Sequence, residues 1–238
     1  MRETVQPWLD RVRTVWDGRA AAWDEMSEAN ARAPDRVQDL RRTDEALRLA
    51  PGSVVLDAGC GAGQFAIAFA EMGCRVTGVD LAPEMIARAR AHAEARGVEV
   101  NWRVGEVGAL SDPLAVYDAI HARMVLLFVP DVPAALREFR RVLKPGGRLY
   151  ASVPGALSPI YSHSWRRLVA PEDAGTNFIV PWELDAIMRD TGWSILDEWG
   201  EFGQSLTGET NPFTPADVVA LPRRLQQAAA TTWTFIAR

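Results

Sequence analysis

Val54-Val55-Leu56-Asp57-Ala58-Gly59-Cys60-Gly61-Ala62-Gly63-Gln64-Phe65 decides the reading of the whole chain. A short apolar run enters three glycines and leaves as a helical pattern. Glycine lets a backbone turn sharply and approach a ligand closely, and the start of a helix offers free amides. Asp57, at the strand end, can accept a hydrogen bond from the turn or reach a ligand amine through water. One βα unit further on, Val76-Thr77-Gly78-Val79-Asp80 reads as a second strand ending in an acid. A carboxylate at that place is positioned to accept both hydroxyls of an adenosine ribose. Glycines alone mark no more than a tight βα turn; with Asp80 added they indicate a nucleoside-bearing cofactor. The spacing is G-x-G-x-G rather than the dinucleotide G-x-G-x-x-G. Asp57 before it suits a cationic amino group better than a pyrophosphate.

Outward from this stretch the chain alternates. Phe65 to Met72 reads as helix, Arg75 to Val79 as strand, Pro83 to Arg96 as helix closed by Gly97, and Val98 to Val104 as strand. Ala119 to Val129 holds another strand and its exit. Asp131 caps a helix that Pro145-Gly146-Gly147 terminates, and Arg148 to Val153 is the next strand. Strands alternating with helices predict a parallel sheet covered on both faces. Ahead of this core, Trp8, Val12, Val15, Trp16, Trp23 and Met26 recur at helical spacing, with a break expected at Gly18. A second helix is expected from about Val37 to Leu49. After the core, Pro181 starts a helix, Trp193 to Trp199 is a strand, Thr214-Pro215-Ala216-Asp217 resembles a helix start, and Thr231 to Ile236 closes the sheet.

Composition removes several function classes. A net charge of -5 with no block of Lys or Arg argues against phosphate-backbone binding. No apolar run reaches the length of a membrane span, and Met1-Arg2-Glu3-Thr4 is too polar for a signal peptide, so a cytoplasmic protein is expected. Two cysteines, Cys60 and Cys74, make no metal-ligand spacing and read as reduced core thiols; no metal is expected.

At this point the chain resembles the class I S-adenosylmethionine-dependent methyltransferases, of the small-molecule type. The resemblance runs from about Trp16 to Trp199, plus the strand near Ile236. It rests on Val54 to Gly63, Val76 to Asp80, the segment Asp118 to Asp131, and Leu143-Lys144-Pro145-Gly146-Gly147-Arg148-Leu149, similar to the family's turn before the fifth strand. It implies one Rossmann-like, doubly wound α/β domain over 1–238, with a mostly parallel seven-stranded sheet whose last strand is antiparallel. Residues 1–50 would form a helical cap, 53–153 the cofactor core, and 154–180 and 202–230 insertions over the acceptor site. The implied cofactor is S-adenosyl-L-methionine, leaving as S-adenosyl-L-homocysteine. Asp57, Ala58, Gly59, Cys60, Gly61, Gly63 and Gln64 would surround its methionine end. Asp80 would hold the ribose, and Leu81, Met85, Gly105, Glu106 and Val107 the adenine. Ala122 and Arg123 would lie near the sulfonium, with Trp16 and Trp23 capping from the N-terminal helix. Trp16 and Trp23 stand where relatives often carry phenyl or phenol rings. Ala82 replaces a frequent capping Ser, and Leu127 and Phe128 stand where many relatives have His.

The implied activity is methyl transfer by in-line displacement to a small-molecule acceptor, at O, N or C. A base is needed only for a reluctant acceptor such as a hydroxyl. His163 and Tyr161, in the irregular stretch after the fifth strand, are the candidate catalytic groups; His92 reads as a surface residue and His121 as a structural one. Tryptophans outside the regular core suit an apolar or planar acceptor. A monomer or homodimer is expected, with no nucleic-acid or membrane partner. The alternative is a non-catalytic S-adenosylmethionine sensor or scaffold; a nicotinamide dehydrogenase fits the glycine spacing poorly.

Overall fold

The computed structural model describes residues 2–30, 34–170, 175–203 and 211–238, without the side chains of 2–4, 29–30, 34–36, 163, 166 and 167. Two helices, α1 (Arg2–Asn30) and α2 (Pro34–Leu47), precede β1 (Val54–Ala58), α3 (Gln64–Glu71), β2 (Arg75–Asp80), α4 (Pro83–Arg96), β3 (Asn101–Val104) and β4 (Tyr117–Arg123). A 3-10 turn, Leu126–Phe128, leads to α5 (Val132–Val142) and β5 (Leu143–Pro154). A second 3-10 turn (Pro159–His163) is followed by α6 (Arg166–Val169), α7 (Pro181–Asp190), β6 (Ile195–Glu201), α8 (Pro215–Val218), α9 (Arg223–Ala229) and β7 (Thr232–Ala237).

The seven strands lie in the order β3-β2-β1-β4-β5-β7-β6. Strands β1 to β5 pair in parallel, and β7 runs antiparallel to both of its neighbours. This is the expected Rossmann-like sheet. The winding reverses between β1 and β4, so a crevice opens at their carboxyl ends, where α/β sheets bind ligands. Alternate strand residues serve opposite layers. Leu56, Ile120, Leu149 and Phe235 pack with Leu136 and Phe139 of α5 and Leu184 of α7. On the other face Ala119, Tyr150 and Ile236 meet Leu47 of α2, and Val55 and Val76 meet Phe65 and Phe69 of α3. Because both faces are covered, the strands need to be apolar along nearly their whole length, which is why they show so clearly in the sequence.

Three sequence expectations shift. Gly18 does not break α1, which runs unbroken through it. The residue sits in open space, and α1 is held on either side by Ala20, Trp16 and Trp23 packing against Met85 of α4. That packing offsets the roughly 1 kcal/mol that glycine costs in a helix. Helix α2 begins earlier than expected, with Pro34 at its start, where a missing amide costs nothing. Pro145-Gly146-Gly147 does not end α5, which stops at Val142, because Leu143 already pairs with Tyr117 in the sheet. Gly147 then lets the strand pass close to β4: a Cβ there would sit 2.8 Å from the Asp118 carbonyl oxygen.

Candidate active site

The crevice at the reversal point holds two chambers that share Trp23, Gly59, Gly61, Arg123 and Met124 in their walls. The first is walled by Asp80, Leu81, Met85, Gly105, Glu106 and Val107 from the ends of β2 and β3, and by Trp16 from α1. The second lies over the glycine turn and β4, and adds Asp57, Cys60, Gln64 and Phe65. Most of the residues expected at the cofactor therefore meet in one cleft. Ala58, Gly63 and Ala122 line neither chamber. Ala58 and Ala122 are fully buried in the sheet, and Gly63 is the left-handed residue ahead of α3, pressed against Trp102.

Asp80 faces the first chamber from the end of β2. Its Oδ2 accepts the Gly61 amide and its Oδ1 the Ala82 amide, each at 2.9 Å. Burial, aided by the nearby charge of Asp57, nevertheless pushes the carboxyl up to about 6, outweighing the backbone amides of Ala82, Gly61 and Leu81 that favour its charge. Glu106 is raised by burial as well. The thiol of Cys60 is pushed well up by burial and by the charges of Asp80 and Asp57, so it stays protonated and inert. Arg123 is anchored rather than free: it meets Asp39 at 3.0 Å, Glu201 at 3.2 Å and the Tyr150 hydroxyl at 3.0 Å. Burial works against its charge, but Glu201, Tyr150 and Asp39 more than compensate.

Helix α1 forms the outer wall and is fastened to α4 at three points. Asp17 accepts the Glu84 amide at 3.1 Å, supplying from another helix the cap that Ala82 lacks. Asp24 takes Arg88 at 3.0 Å and His92 at 2.7 Å, so His92 is a tether rather than a plain surface residue. Trp16 stands edge-on to Trp23 at 5.3 Å and to Phe128 at 5.1 Å. Removing the tether should loosen this wall. With Asp24→Ala we expect amide exchange in residues 16–23 to rise by about tenfold, the loss of roughly 1–2 kcal/mol of hydrogen bonding to a charged group, while α5 is unchanged. Equal acceleration in both helices would show that the tether serves the whole fold instead.

The residues expected beyond β5 are placed differently. Tyr161 donates its hydroxyl to the Ile179 carbonyl, and burial, with Glu183 nearby, pushes the phenol upwards. It lines neither chamber. The side chain of His163 lies outside the described residues, and so do 171–174 and 204–210 of the two insertions. Sequence reasoning also missed wall residues. Leu9 and Val12 share with Trp16 the helical spacing that could have revealed them. Ser27, His121, Ser158, Thr231 and Thr232 come together only through the tertiary fold. Asn177 was likewise invisible: its amide donates to the carbonyls of Leu126 and Val129 at 2.7 and 2.8 Å, pinning the chain after residue 174 to the exit of β4. Among the described residues no group of three or more His, Cys, Asp or Glu is arranged to hold a metal, and no helix is long and apolar enough to cross a membrane.

A doubly wound sheet, with a glycine turn at its reversal and a carboxylate facing the same cleft from the next strand, defines a nucleoside-binding α/β protein. Known proteins narrow the class. The family described as a methyltransferase domain matches residues 55–147. A ubiquinone biosynthesis O-methyltransferase of Methylocella silvestris is 36% identical over 190 residues, 73% of this chain and 70% of that protein. Among solved structures, the [4+2]-cyclase SpnF is 25% identical with a TM-score of 0.63, over 84% of this chain and 79% of its own. An S-adenosylmethionine-dependent methyltransferase of Mesorhizobium loti has a TM-score of 0.63 at 20% identity, over 87% and 99% of the two chains, and shows the shared fold. The chain belongs to the class I S-adenosylmethionine-dependent methyltransferases. It is an enzyme, its cofactor is S-adenosylmethionine, and it transfers methyl to a small molecule; the non-catalytic sensor is not favoured.

Proposed function

We propose that this enzyme methylates a hydroxyl oxygen on a planar, apolar small molecule. The observation that carries this reading is the ring wall of Trp16, Trp23 and Phe128, which suits a flat acceptor. The oxygen follows from the O-methyl transfer in the name of the Methylocella silvestris relative. In this reading Asp80 accepts the ribose hydroxyls, Leu81, Glu106 and Val107 surround the adenine, and the second chamber takes the amino-acid end.

S-adenosylmethionine supplies a methyl group already activated on a sulfonium. The chain's own work is alignment and exclusion of water. Positioning contributes roughly 7–11 kcal/mol in favourable systems, and the tethered α1 and the Asn177 clamp are the rigid parts that provide it. Tyr161 is poorly suited to take a proton, because its hydroxyl donates to a backbone carbonyl. His163 remains the candidate base on the stretch after β5. The reading is tested by incubating the protein with methyl-labelled cofactor and a panel of catechols, hydroxybenzoates, aryl amines and aryl carboxylates. Labelled methyl ethers, identified by mass spectrometry, are expected. Label confined to nitrogen or carboxylate would overturn the oxygen assignment.

A further inference from the structure

We propose that His121, held from behind by Asp57, takes the α-ammonium of S-adenosylmethionine, a contact that the acid of the glycine motif was expected to make. This rests on the cofactor that the family assigns and not on the identity of the acceptor.

The sheet register sets up the arrangement. Asp57 of β1 lies opposite His121 of β4, which lies opposite Tyr150 of β5. These three side chains therefore share the face towards α3. Both oxygens of Asp57 are engaged within the protein: Oδ1 meets His121 Nδ1 at 2.8 Å, and Oδ2 accepts the Ala66 amide at 3.1 Å. Asp57 also lines the second chamber, but both of its oxygens already have a partner within the protein. The His121 ring is clamped between Phe65 at 4.5 Å and Tyr150 at 4.7 Å, so it has little freedom to reorient.

The other end of the ring is what matters. Nε2 of His121 is buried and has no partner in the protein, and His121 is part of the wall of the second chamber. With a carboxylate accepting at Nδ1, the neutral ring carries its proton there and presents a lone pair at Nε2. Gln64, in the same wall, also has a buried, unpartnered amide nitrogen, Nε2. One chamber thus holds an acceptor and a donor that the protein leaves unsatisfied. Buried polar atoms are nearly always paired, and an α-amino acid pairs these two: its ammonium donates to His121 and its carboxylate accepts from Gln64. A purely structural histidine would explain the clamp and the Asp57 contact, but not the second open group in the same chamber wall.

The test separates the amino acid from the nucleoside. S-adenosylhomocysteine carries both, whereas 5′-methylthioadenosine keeps the nucleoside and sulfur and lacks the amino acid. His121→Asn retains an amide near Nδ1 for Asp57 and removes Nε2. Calorimetry should show S-adenosylhomocysteine weakened by about 10–100-fold, as for a lost hydrogen bond to a charged group, with 5′-methylthioadenosine changed by less than about threefold. His121→Gln, which places an amide near Nε2, should recover much of the loss. Gln64→Leu, at the start of α3, tests the chamber without disturbing the clamp and should lower affinity for S-adenosylhomocysteine alone. If His121→Asn weakens both ligands together, or leaves S-adenosylhomocysteine unaffected, the proposal falls. Should that variant not fold, an unchanged preference between the two ligands in Gln64→Leu overturns the zwitterion chamber. A wild-type protein that binds neither ligand would instead refute the cofactor assignment, a separate result.

Discussion

Replacing Asp80 with alanine is expected to weaken S-adenosylhomocysteine by roughly 2–5 kcal/mol, the worth of two hydrogen bonds to a charged acceptor. Asp80 already accepts the Gly61 and Ala82 amides, so the substitution also frees the glycine turn. Asp80→Asn frees the turn less, since it removes the charge but keeps one of the two acceptors. The charge has a pH signature. Burial holds this carboxyl at about 6, above the ordinary value near 3.9. A raised value means that the group adds stability below the unfolded value and loses it as pH rises through about 6. The ionised, ligand-free protein at neutral pH is therefore strained at this position. Asp80→Asn relieves the buried charge but leaves one of the two backbone amides facing a donor, so we expect the stability of the empty protein near pH 7 to change by no more than about 1 kcal/mol while the cofactor is weakened. Binding in the wild type should fall as pH drops below about 6, where the acceptor becomes protonated. Calorimetry and thermal melts across pH 5 to 8 check both signs. Unchanged affinity in Asp80→Ala would remove Asp80 from the ribose role.

Gly59→Ala should be the most damaging single methyl in the cleft. Gly59 has φ +74°, and a Cβ there would lie 2.5 Å from Val125 Cγ2 and 2.7 Å from Val125 Cβ. Left-handed backbone costs an alanine roughly 1–2 kcal/mol, and overpacking a stiff β-branched neighbour adds roughly 1–3 kcal/mol. Val125 lines the first chamber, so any relief moves that chamber's wall. We expect a lowered melting temperature and cofactor affinity down by tenfold or more, on the order of 1.4 kcal/mol. Gly61→Ala is the control. It is also left-handed, at φ +52°, but the nearest atom to its Cβ is Trp23 Nε1 at 3.9 Å, so backbone strain alone should register. Equal effects from the two substitutions would show that strain, and not the contact with Val125, decides the tolerance of this turn.

How far the sequence carries can be followed residue by residue. The run Val54 to Gly63, the acid Asp80 and the strand-helix rhythm encode the sheet and the cleft at its reversal, because each is a local pattern with a local cause. An apolar stretch must be buried, a glycine must turn, and an acid that ends a strand faces the crevice. Helix ends were legible where chemistry is local, as at Asp131, whose side chain accepts the Ala134 amide, and at left-handed Gly97. Gly18 was misleading because packing against α4 outweighs intrinsic propensity.

The partners of the polar groups in the site were not legible, since they meet across strands and helices far apart in the chain. Nothing near His121 predicts Asp57 at 2.8 Å, which lies 64 positions away; parallel pairing at the reversal of the sheet puts them side by side. Nothing near Asp17 or Asp24 announces that α1 will cap and tether α4. Tyr161 looked available in sequence, yet the fold delivers its hydroxyl to the Ile179 carbonyl. The fold class and the glycine turn and Asp80 that wall its cleft thus follow from the sequence by itself, because short-range burial and turn chemistry specify them. Which polar groups remain open in the cleft was decided only by tertiary structure, because a donor or acceptor is free only once every distant partner has been placed.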